Sequence, residues 1–399
     1  VIDLVDEYVD LSSNLPASPL FRKWAGIFGV AVMTRRRVWM VVPGFDEDMP
    51  LYPNFYILLV APPAVGKTVA AKTLVKRLKT FNEVRFAPDD ITGPRLVENL
   101  GDPKHKDAPE WIGGKLVKVT HRAAVVSEFA TFLPRDDFKF MATLAALWDN
   151  EDVYEKETKT AGSDNLESLF VNILGGVQPA WFADQLPRGA FDQGLFARII
   201  FIFNDDATPP KVAGRDRPDL ARWDPWLGEM EKVLALKGEF DVPEVCHERM
   251  QAWIDGGMEP APTHPLLANY RSRRHMHVYK LAMIHAISAR RELSMTPEDI
   301  EWGIETLVQA EKFMPAALAV AGANPNRLYE EQAINVVLAN WAKSKPTSET
   351  TIRRILLQNM PAHLVEASVD NMLASGRLGL QAGEKPNRMF KAGAYARAT

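Results

Sequence analysis

The stretch Val60-Ala61-Pro62-Pro63-Ala64-Val65-Gly66-Lys67-Thr68 constrains this chain more than any other. It follows the apolar run Phe55-Tyr56-Ile57-Leu58-Leu59 and precedes a helical pattern, Val69-Ala70-Ala71-Lys72-Thr73-Leu74-Val75. Strand, glycine-containing turn, Gly-Lys-Thr and helix form the order of a phosphate-binding loop, or P-loop. Backbone N–H groups at a helix start face an anion, and the helix dipole favours negative charge there. Ala64, Val65 and Gly66 would lend the loop amides, Lys67 would reach the terminal phosphates of ATP, and the Thr68 hydroxyl would sit on Mg²⁺. Ala61 replaces the first glycine of the usual G-x-x-x-x-G-K-[ST] pattern. A chance Gly-Lys-Thr at a helix start is the plainer alternative, and the fit of the flanking elements argues against it.

Such a loop needs a sheet around it, and 399 residues allow two or three domains. A net charge of −4 gives no global basic field, so nucleic-acid binding would come from local patches. The single cysteine, Cys246, excludes an intrachain disulfide framework and suits a reducing cytosol; a packed thiol is expected. No apolar run approaches the roughly 20 residues that span a bilayer. The start, Val1-Ile2-Asp3-Leu4-Val5-Asp6-Glu7, is acidic where a signal peptide would be basic. Because residue 1 is not Met, a fragment or processed chain with something upstream is expected.

Residues 1 to about 45 read as helix, then strand, with a buried helix around Phe21–Phe28. Arg35-Arg36-Arg37 would lie in a solvated turn or contact phosphate. Val84-Arg85-Phe86 reads as a short strand and residues 101–115 as loop. Ala123-Ala124-Val125-Val126-Ser127-Glu128 is an apolar strand ending in an acid, the second fixed part of a P-loop ATPase. One carboxylate there usually supports Mg²⁺ and the other polarises the attacking water. Here only Glu128 remains, as the base, with Ser127 near the metal; the alternative is that Glu128 caps a helix.

An apolar helix over 138–148 leads to Tyr154–Asn165, where charged residues and Thr flank Gly162-Ser163-Asp164 in the manner of a β-hairpin. Lys156 and Lys159 would meet a phosphate backbone, or the hairpin would be solvated without a ligand. Leu169–Leu174 reads as a third buried strand running into Gly175-Gly176-Val177-Gln178-Pro179. A polar amide at that tip would lie beside the phosphate loop, because ligands bind at the carboxyl ends of parallel strands. Gln178 would sense the γ-phosphate or orient water. Arg198 precedes the strand Ile199–Phe203 and would stabilise the transferred phosphate, in cis or from a neighbouring subunit; a structural ion pair is the alternative. Residues 204–222 read as a linker.

Beyond 223 the pattern is helical. Arg271-Ser272-Arg273-Arg274-His275-Met276-His277 opens one long helix, and Thr296-Pro297-Glu298-Asp299 starts another with Thr296 as cap. His275, His277 and His285 have no completing ligands nearby, so metal binding is not expected there. The tail shows three helices and a small hairpin, the winged-helix pattern. Thr350, Thr351, Arg353, Arg354, Arg377, Lys385, Arg388 and Lys391 give it a basic character, for DNA or for a protein.

Taken together these motifs resemble the AAA+ ATPases, and within them the minichromosome-maintenance (MCM) helicases and MCM-like helicases of phages and mobile elements. The resemblance covers about residues 50–399. Ser127-Glu128-Phe129 resembles the MCM Asp-Glu-Phe, and Thr160-Ala161-Gly162 resembles the Lys-Ala-Gly of the DNA-contacting hairpin. Gly175-Gly176-Val177-Gln178-Pro179 resembles sensor 1, and Ala197-Arg198-Ile199 resembles the Ser-Arg-Phe that carries the arginine finger. The segment from Arg271 through Asp299 resembles the lid carrying sensor 2. By that register Arg273 is the sensor-2 arginine, or Arg271 or Arg274 if the register slips. Thr160 replaces the hairpin lysine, which moves that DNA contact to Lys159 or Lys156.

The expected architecture is therefore α/β. Residues 1–45 would be an N-terminal helical segment and 46–205 an AAA+ core with a parallel sheet. Residues 206–322 would be a helical lid and 323–399 a winged-helix domain. The resemblance implies an ATP-dependent, cytoplasmic DNA helicase of phage or mobile-element replication in a bacterial cell. It would work as a homo-oligomeric ring, a hexamer, around single-stranded DNA, with a primase-polymerase or another replication protein as partner. Two other classes stay open: an ATP-controlled initiator or loader that does not unwind, and a P-loop phosphotransferase.

Overall fold

A computed structural model describes residues 2–42, 50–102, 107–133, 137–150, 153–158, 162–179, 181, 194–204, 221–315, 318, 327–358, 360, 362–374, 376–385 and 387–392. The chain divides into two compact units, Val1–Ala321 and Gly322–Thr399.

Unit one is α/β. Its sheet has four parallel strands in the order Thr120–Val126, Leu169–Val177, Tyr56–Val60 and Ile199–Phe203. Tyr56–Val60 and Ile199–Phe203 are continuous apolar runs because both faces are covered, as parallel sheets require. The outer strand buries His121 and Arg122 against Asp107 and Asn99, and Asn172 accepts from the Phe55 N–H. All five residues of Tyr56–Val60 are buried. Tyr56 lies opposite Ile173 on one side and Ile199 on the other, while Ala124 lies opposite Ile173. That register brings Val60, Val126 and Val177 to one edge. Phe86 bridges in parallel to Ala123, so the short strand expected at 84–86 is a single pairing beside the sheet. The strand that leads to Gln178 runs three residues beyond Leu174, to Val177.

The N-terminal segment belongs to this core. Helix Pro19–Thr34 begins with the Ser18 hydroxyl accepting from Phe21 N–H, and nearly all of its length is buried. Helix Leu4–Leu11 is tied down by the Tyr8 hydroxyl, which donates to the Ala70 carbonyl at 3.0 Å. The Trp226 indole donates to the Leu4 carbonyl at 2.9 Å. Val38–Trp39 pairs in parallel with Gly238–Glu239.

Arg35, Arg36 and Arg37 form neither a solvated turn nor an exposed phosphate contact. Arg35 and Arg36 are buried. Arg36 donates to the Asn150 carbonyl at 3.0 Å and stacks over Tyr52; Arg37 pairs with Glu110 at 2.7 Å. Glu110 belongs to a hairpin, Glu110–Ile112 with Lys115–Val117, in the stretch read as loop.

The region from 223 is mainly helical: Asp224–Ala235, Glu244–Asp255, Arg274–Arg290 and Pro297–Glu311. Arg274–Arg290 has buried residues on every face and is the central helix of this layer. Thr296 and Asp299 form a capping box at the start of Pro297–Glu311, which satisfies two orphan amides reciprocally. Cys246 is fully buried, and burial pushes its thiol up to about 11. Residues 205–220, most of the expected linker, lie outside the described residues.

Unit two contains helices Arg327–Trp341, Glu349–Leu357 and Ala362–Ala374 and a three-stranded sheet. In that sheet Met389–Ala392 pairs antiparallel with both Leu378–Ala382 and Thr347–Ser348. Its core is built on Val337, Ile352, Leu356, Val369, Met372 and Phe390.

Candidate functional site

The carboxyl edge of the sheet gathers most of the expected nucleotide residues. The Val60–Thr68 loop leaves its strand with the Ala61 N–H donating to the Val177 carbonyl at 3.2 Å. It turns through left-handed backbone at Ala64 (φ 66°) and Gly66 (φ 87°) and enters helix Lys67–Leu78. That helix starts without a side-chain cap and without an acidic residue in its first turn. Its first amides and its dipole thus remain available to an anion. Val65 is buried, Ala64 exposed, and Gly66, Lys67 and Thr68 are half-buried.

Lys67 folds over the loop. Its ammonium donates to the carbonyls of Ala61 at 2.6 Å and Pro62 at 2.9 Å. Burial lowers its pKa, and the nearby Glu128 charge acts against that. Lys67, Thr68, Ser127 and Gly176 surround one small cavity of about 10 Å³.

Glu128 stands at the cap position of the short helix Phe129–Phe132, but its carboxylate makes no capping bond there. It is exposed. The helix-cap alternative therefore does not account for it. Ser127 is half-buried one residue earlier. Gln178 is exposed at the tip of the strand between the other two. The Val60–Thr68 loop, the acid and the amide thus leave three adjacent strands at the same edge, the place where open parallel sheets bind ligands.

Gly176 was not singled out by the sequence reading. A Cβ built on it would lie 2.7 Å from the Ser127 carbonyl oxygen and 3.8 Å from the Lys67 Cβ. Only glycine lets the Ser127 carbonyl approach the strand this closely, while the Lys67 Cβ lies at an ordinary contact distance. Its signal was present: paired glycines inside an apolar strand mark a close backbone approach.

Arg198 and Arg273 sit elsewhere. Arg198 precedes its strand, so it lies at the amino edge, five residues away from the carboxyl edge, or about 17 Å at the usual rise per residue. Its Nε donates to Asp149 Oδ1 at 3.1 Å, its Nη2 to Asp149 Oδ2 at 2.5 Å and its Nη1 to the Gly194 carbonyl at 2.8 Å. Arg273, immediately before helix Arg274–Arg290, reaches the same carboxylate, with Nη1 3.6 Å from Asp149 Oδ1. Burial and the adjacent Arg198 lower its pKa, against the pull of Asp149.

The amino-edge cluster is anchored by His277, whose Nε2 donates to the Ala197 carbonyl at 3.1 Å. Burial lowers the His277 pKa to about 3, so the ring is neutral. Lys280 is fully buried, 3.4 Å from the centre of the Trp148 ring, and donates to Asn54 Oδ1 at 2.6 Å.

The neighbouring arginines have other partners. Arg274 is fully buried against Glu311 and also donates to the Met258 and Pro260 carbonyls. Arg271 lies 3.8 Å from Glu259. Of the three candidates for the sensor role, Arg273 alone joins Arg198. His285 pairs with Asp299 at 2.6 Å, and among the described residues no group of three His, Cys, Asp or Glu side chains could hold a metal.

The expected hairpin is present as Val153–Thr158 paired with Gly162–Glu167, with Lys156 opposite Asp164. Lys159 and Thr160 lie outside the described residues. In unit two, four of the cations read as giving the tail its basic character bind carboxylates of the same unit. Arg388 pairs with Glu349 and Asp370, Arg353 with Glu349, Lys385 with Asp370 and Glu366, and Arg377 with Glu330. Helix Ala362–Ala374 carries two acids, Glu366 and Asp370, and no Lys or Arg.

Among the described residues no helix is long and apolar enough to cross a membrane. No protein-family model and no curated protein matches this chain.

Proposed function

We propose that this chain is an ATP-hydrolysing motor of the AAA+ kind, close in its logic to the MCM helicases, that forms a homo-oligomeric ring and moves single-stranded DNA through its centre. The observation that carries this reading is the division of the phosphate-handling residues between two edges of one sheet. Lys67, Thr68, Ser127, Glu128 and Gln178 occupy the carboxyl edge, and Arg198 and Arg273 occupy the amino edge. Separated by about 17 Å, they complete one site only when the amino edge of one copy meets the carboxyl edge of the next. A head-to-tail contact of that kind is heterologous, and it closes into a ring when the rotation allows.

Within such a site the chemistry follows from the residues. The uncapped start of helix Lys67–Leu78 and the loop amides bind the phosphates. Lys67 leaves the Ala61 and Pro62 carbonyls and neutralises charge on the terminal phosphates. Thr68, with Ser127 beside it, would hold the Mg²⁺ that accompanies ATP, whose charge lowers the cost of negative charge on the phosphate oxygens. Gln178 orients a water molecule. As the water oxygen bonds to the γ-phosphorus and the bond to ADP breaks, Glu128 accepts the water proton. Arg198 and Arg273 of the neighbouring copy stabilise the charge on the transferred group. The hairpin carrying Lys156, together with Lys159 and Thr160, is the part proposed to touch the strand.

The test is strand separation on a forked duplex with ATP, using Glu128→Gln as the control. Unwinding by the wild type and none by the variant supports the motor. ATP hydrolysis without unwinding favours the second reading, an ATP-controlled initiator or loader. The internal pairing of Arg353, Arg377, Lys385 and Arg388 favours that second reading for unit two, because it suits a protein contact better than a phosphate backbone.

A further inference from the structure

One carboxylate, Asp149, serves both amino-edge arginines, and it holds them unequally. The Arg198 side chain is 9% exposed and bound through both carboxylate oxygens. Its guanidinium also lies 5.8 Å from the centre of the Trp148 ring. The Arg273 side chain is 34% exposed and meets Asp149 only at 3.6 Å, too long for a hydrogen bond. Two guanidinium groups therefore face a single carboxylate, and one of them is anchored while the other is loosely held. A carboxylate and a phosphate each accept a guanidinium fork through two oxygens.

We propose that Asp149 is the positioning residue of the arginine half-site: it fixes Arg198 and keeps Arg273 beside it, and it yields Arg273 to the terminal phosphate held by a neighbouring copy. The proposal rests on the ring reading above. Asp149 acts through the two arginines and not on the nucleotide itself. Its place at the end of helix Phe138–Asp149, where Asn150 turns the chain through φ 57°, sets the carboxylate against the turn that carries Arg198.

The test uses the full chain and ATP. Asp149→Asn keeps the shape and removes the charge. It is expected to lower kcat by about tenfold or more while KM stays within about twofold, because the loop that binds ATP is untouched. Mixed in equal amounts with Lys67→Ala, it is expected to regain hydrolysis: at about a quarter of the interfaces in a random ring, its intact loop meets the intact arginines of the other variant. Arg198→Ala mixed with Lys67→Ala is the reference. If the reference mixture regains activity and the Asp149→Asn mixture does not, Asp149 acts within its own copy and the proposal is overturned while the ring reading stands. If neither mixture regains activity, both fall. A raised KM with unchanged kcat also overturns the proposal. Should Asp149→Asn melt below the assay temperature, Asp149→Glu replaces it. That variant is expected to show an intermediate kcat, an unchanged KM and the same complementation by Lys67→Ala, and absence of complementation overturns the proposal.

Discussion

The carbonyl oxygen of Pro16 occupies the space where a side chain on Gly66 would begin. A Cβ built on Gly66 would overlap that oxygen and lie 2.7 Å from the Ala17 Cα. The N-terminal segment therefore packs directly on the Val60–Thr68 loop, and residues near 16 help to fix the loop's shape. Gly66 is also left-handed, at φ 87°.

Gly66→Ala is accordingly expected to reduce both stability and ATP binding. The left-handed backbone alone costs a side chain roughly 1–2 kcal/mol, and the rigid backbone of Pro16 and Ala17 adds to it. Thermal melting with titration of a fluorescent ATP analogue checks this. A variant that melts and binds like the wild type would contradict the packing of Pro16 on the loop.

Lys67→Ala is expected to bind ATP at least about tenfold more weakly, since a charge-assisted contact to phosphate is removed. Stability should change little, within about 0.5 kcal/mol, because Lys67 is half-buried and its hydrogen bonds run to two loop carbonyls. Equilibrium binding and a thermal melt separate the two effects.

Glu128→Gln is expected to leave ATP binding intact and to lower hydrolysis by about 10²–10⁴-fold, the usual contribution of a general base. Its side chain is exposed and makes no capping bond, so the melt should not move. Phosphate release at saturating ATP is the measurement.

The strands and the loop were legible because their signals are local. Phe55–Val60 and Ile199–Phe203 are unbroken apolar runs, Leu169–Leu174 is apolar but for Asn172, and Gly66-Lys67-Thr68 follows the first of them after five residues. What stayed hidden depends on partners far along the chain. Arg35-Arg36-Arg37 looks like a solvated charge run, yet its partners are Asp107, Asn150 and Glu110. Asp149 lies one residue past the helix expected over 138–148, and nothing local marks it until Arg198 and Arg273 fold onto it. The hairpin Glu110–Val117 lies in a stretch rich in Gly, Pro and charge, a composition that signals a loop. The basic tail reads as free because Glu330, Glu349, Glu366 and Asp370, which pair with Arg353, Arg377, Lys385 and Arg388, are spread over three helices.

Glu311→Gln is expected to destabilise unit one by about 3–5 kcal/mol, since it leaves the Arg274 charge buried without its partner. Arg274 is fully buried, with Nε 2.7 Å from Glu311 Oε1. Replacing both residues with apolar side chains of similar volume should recover much of that loss. Denaturant melts of the single and double variants check it.

Unit two should lose stability on acidification through Glu349. Its hydrogen bonds to Arg388, and next to Arg353, hold the carboxyl at about 2 against an ordinary 4.5. A carboxyl with a lowered folded-state pKa stabilises the fold fully above about pH 4.5, and that stability is lost as the pH falls through about 2. The contribution is about 3 kcal/mol by linkage. The melting temperature of unit two should fall across this window in the wild type and vary much less in Glu349→Gln.

ATP hydrolysis with and without single-stranded DNA, on the wild type and on Lys156→Ala/Lys159→Ala, tests the central claim most directly. The account predicts hydrolysis by the wild type that single-stranded DNA stimulates, with the stimulation lost in the double variant. Absent hydrolysis, or turnover indifferent to DNA, would contradict a motor that moves along a strand.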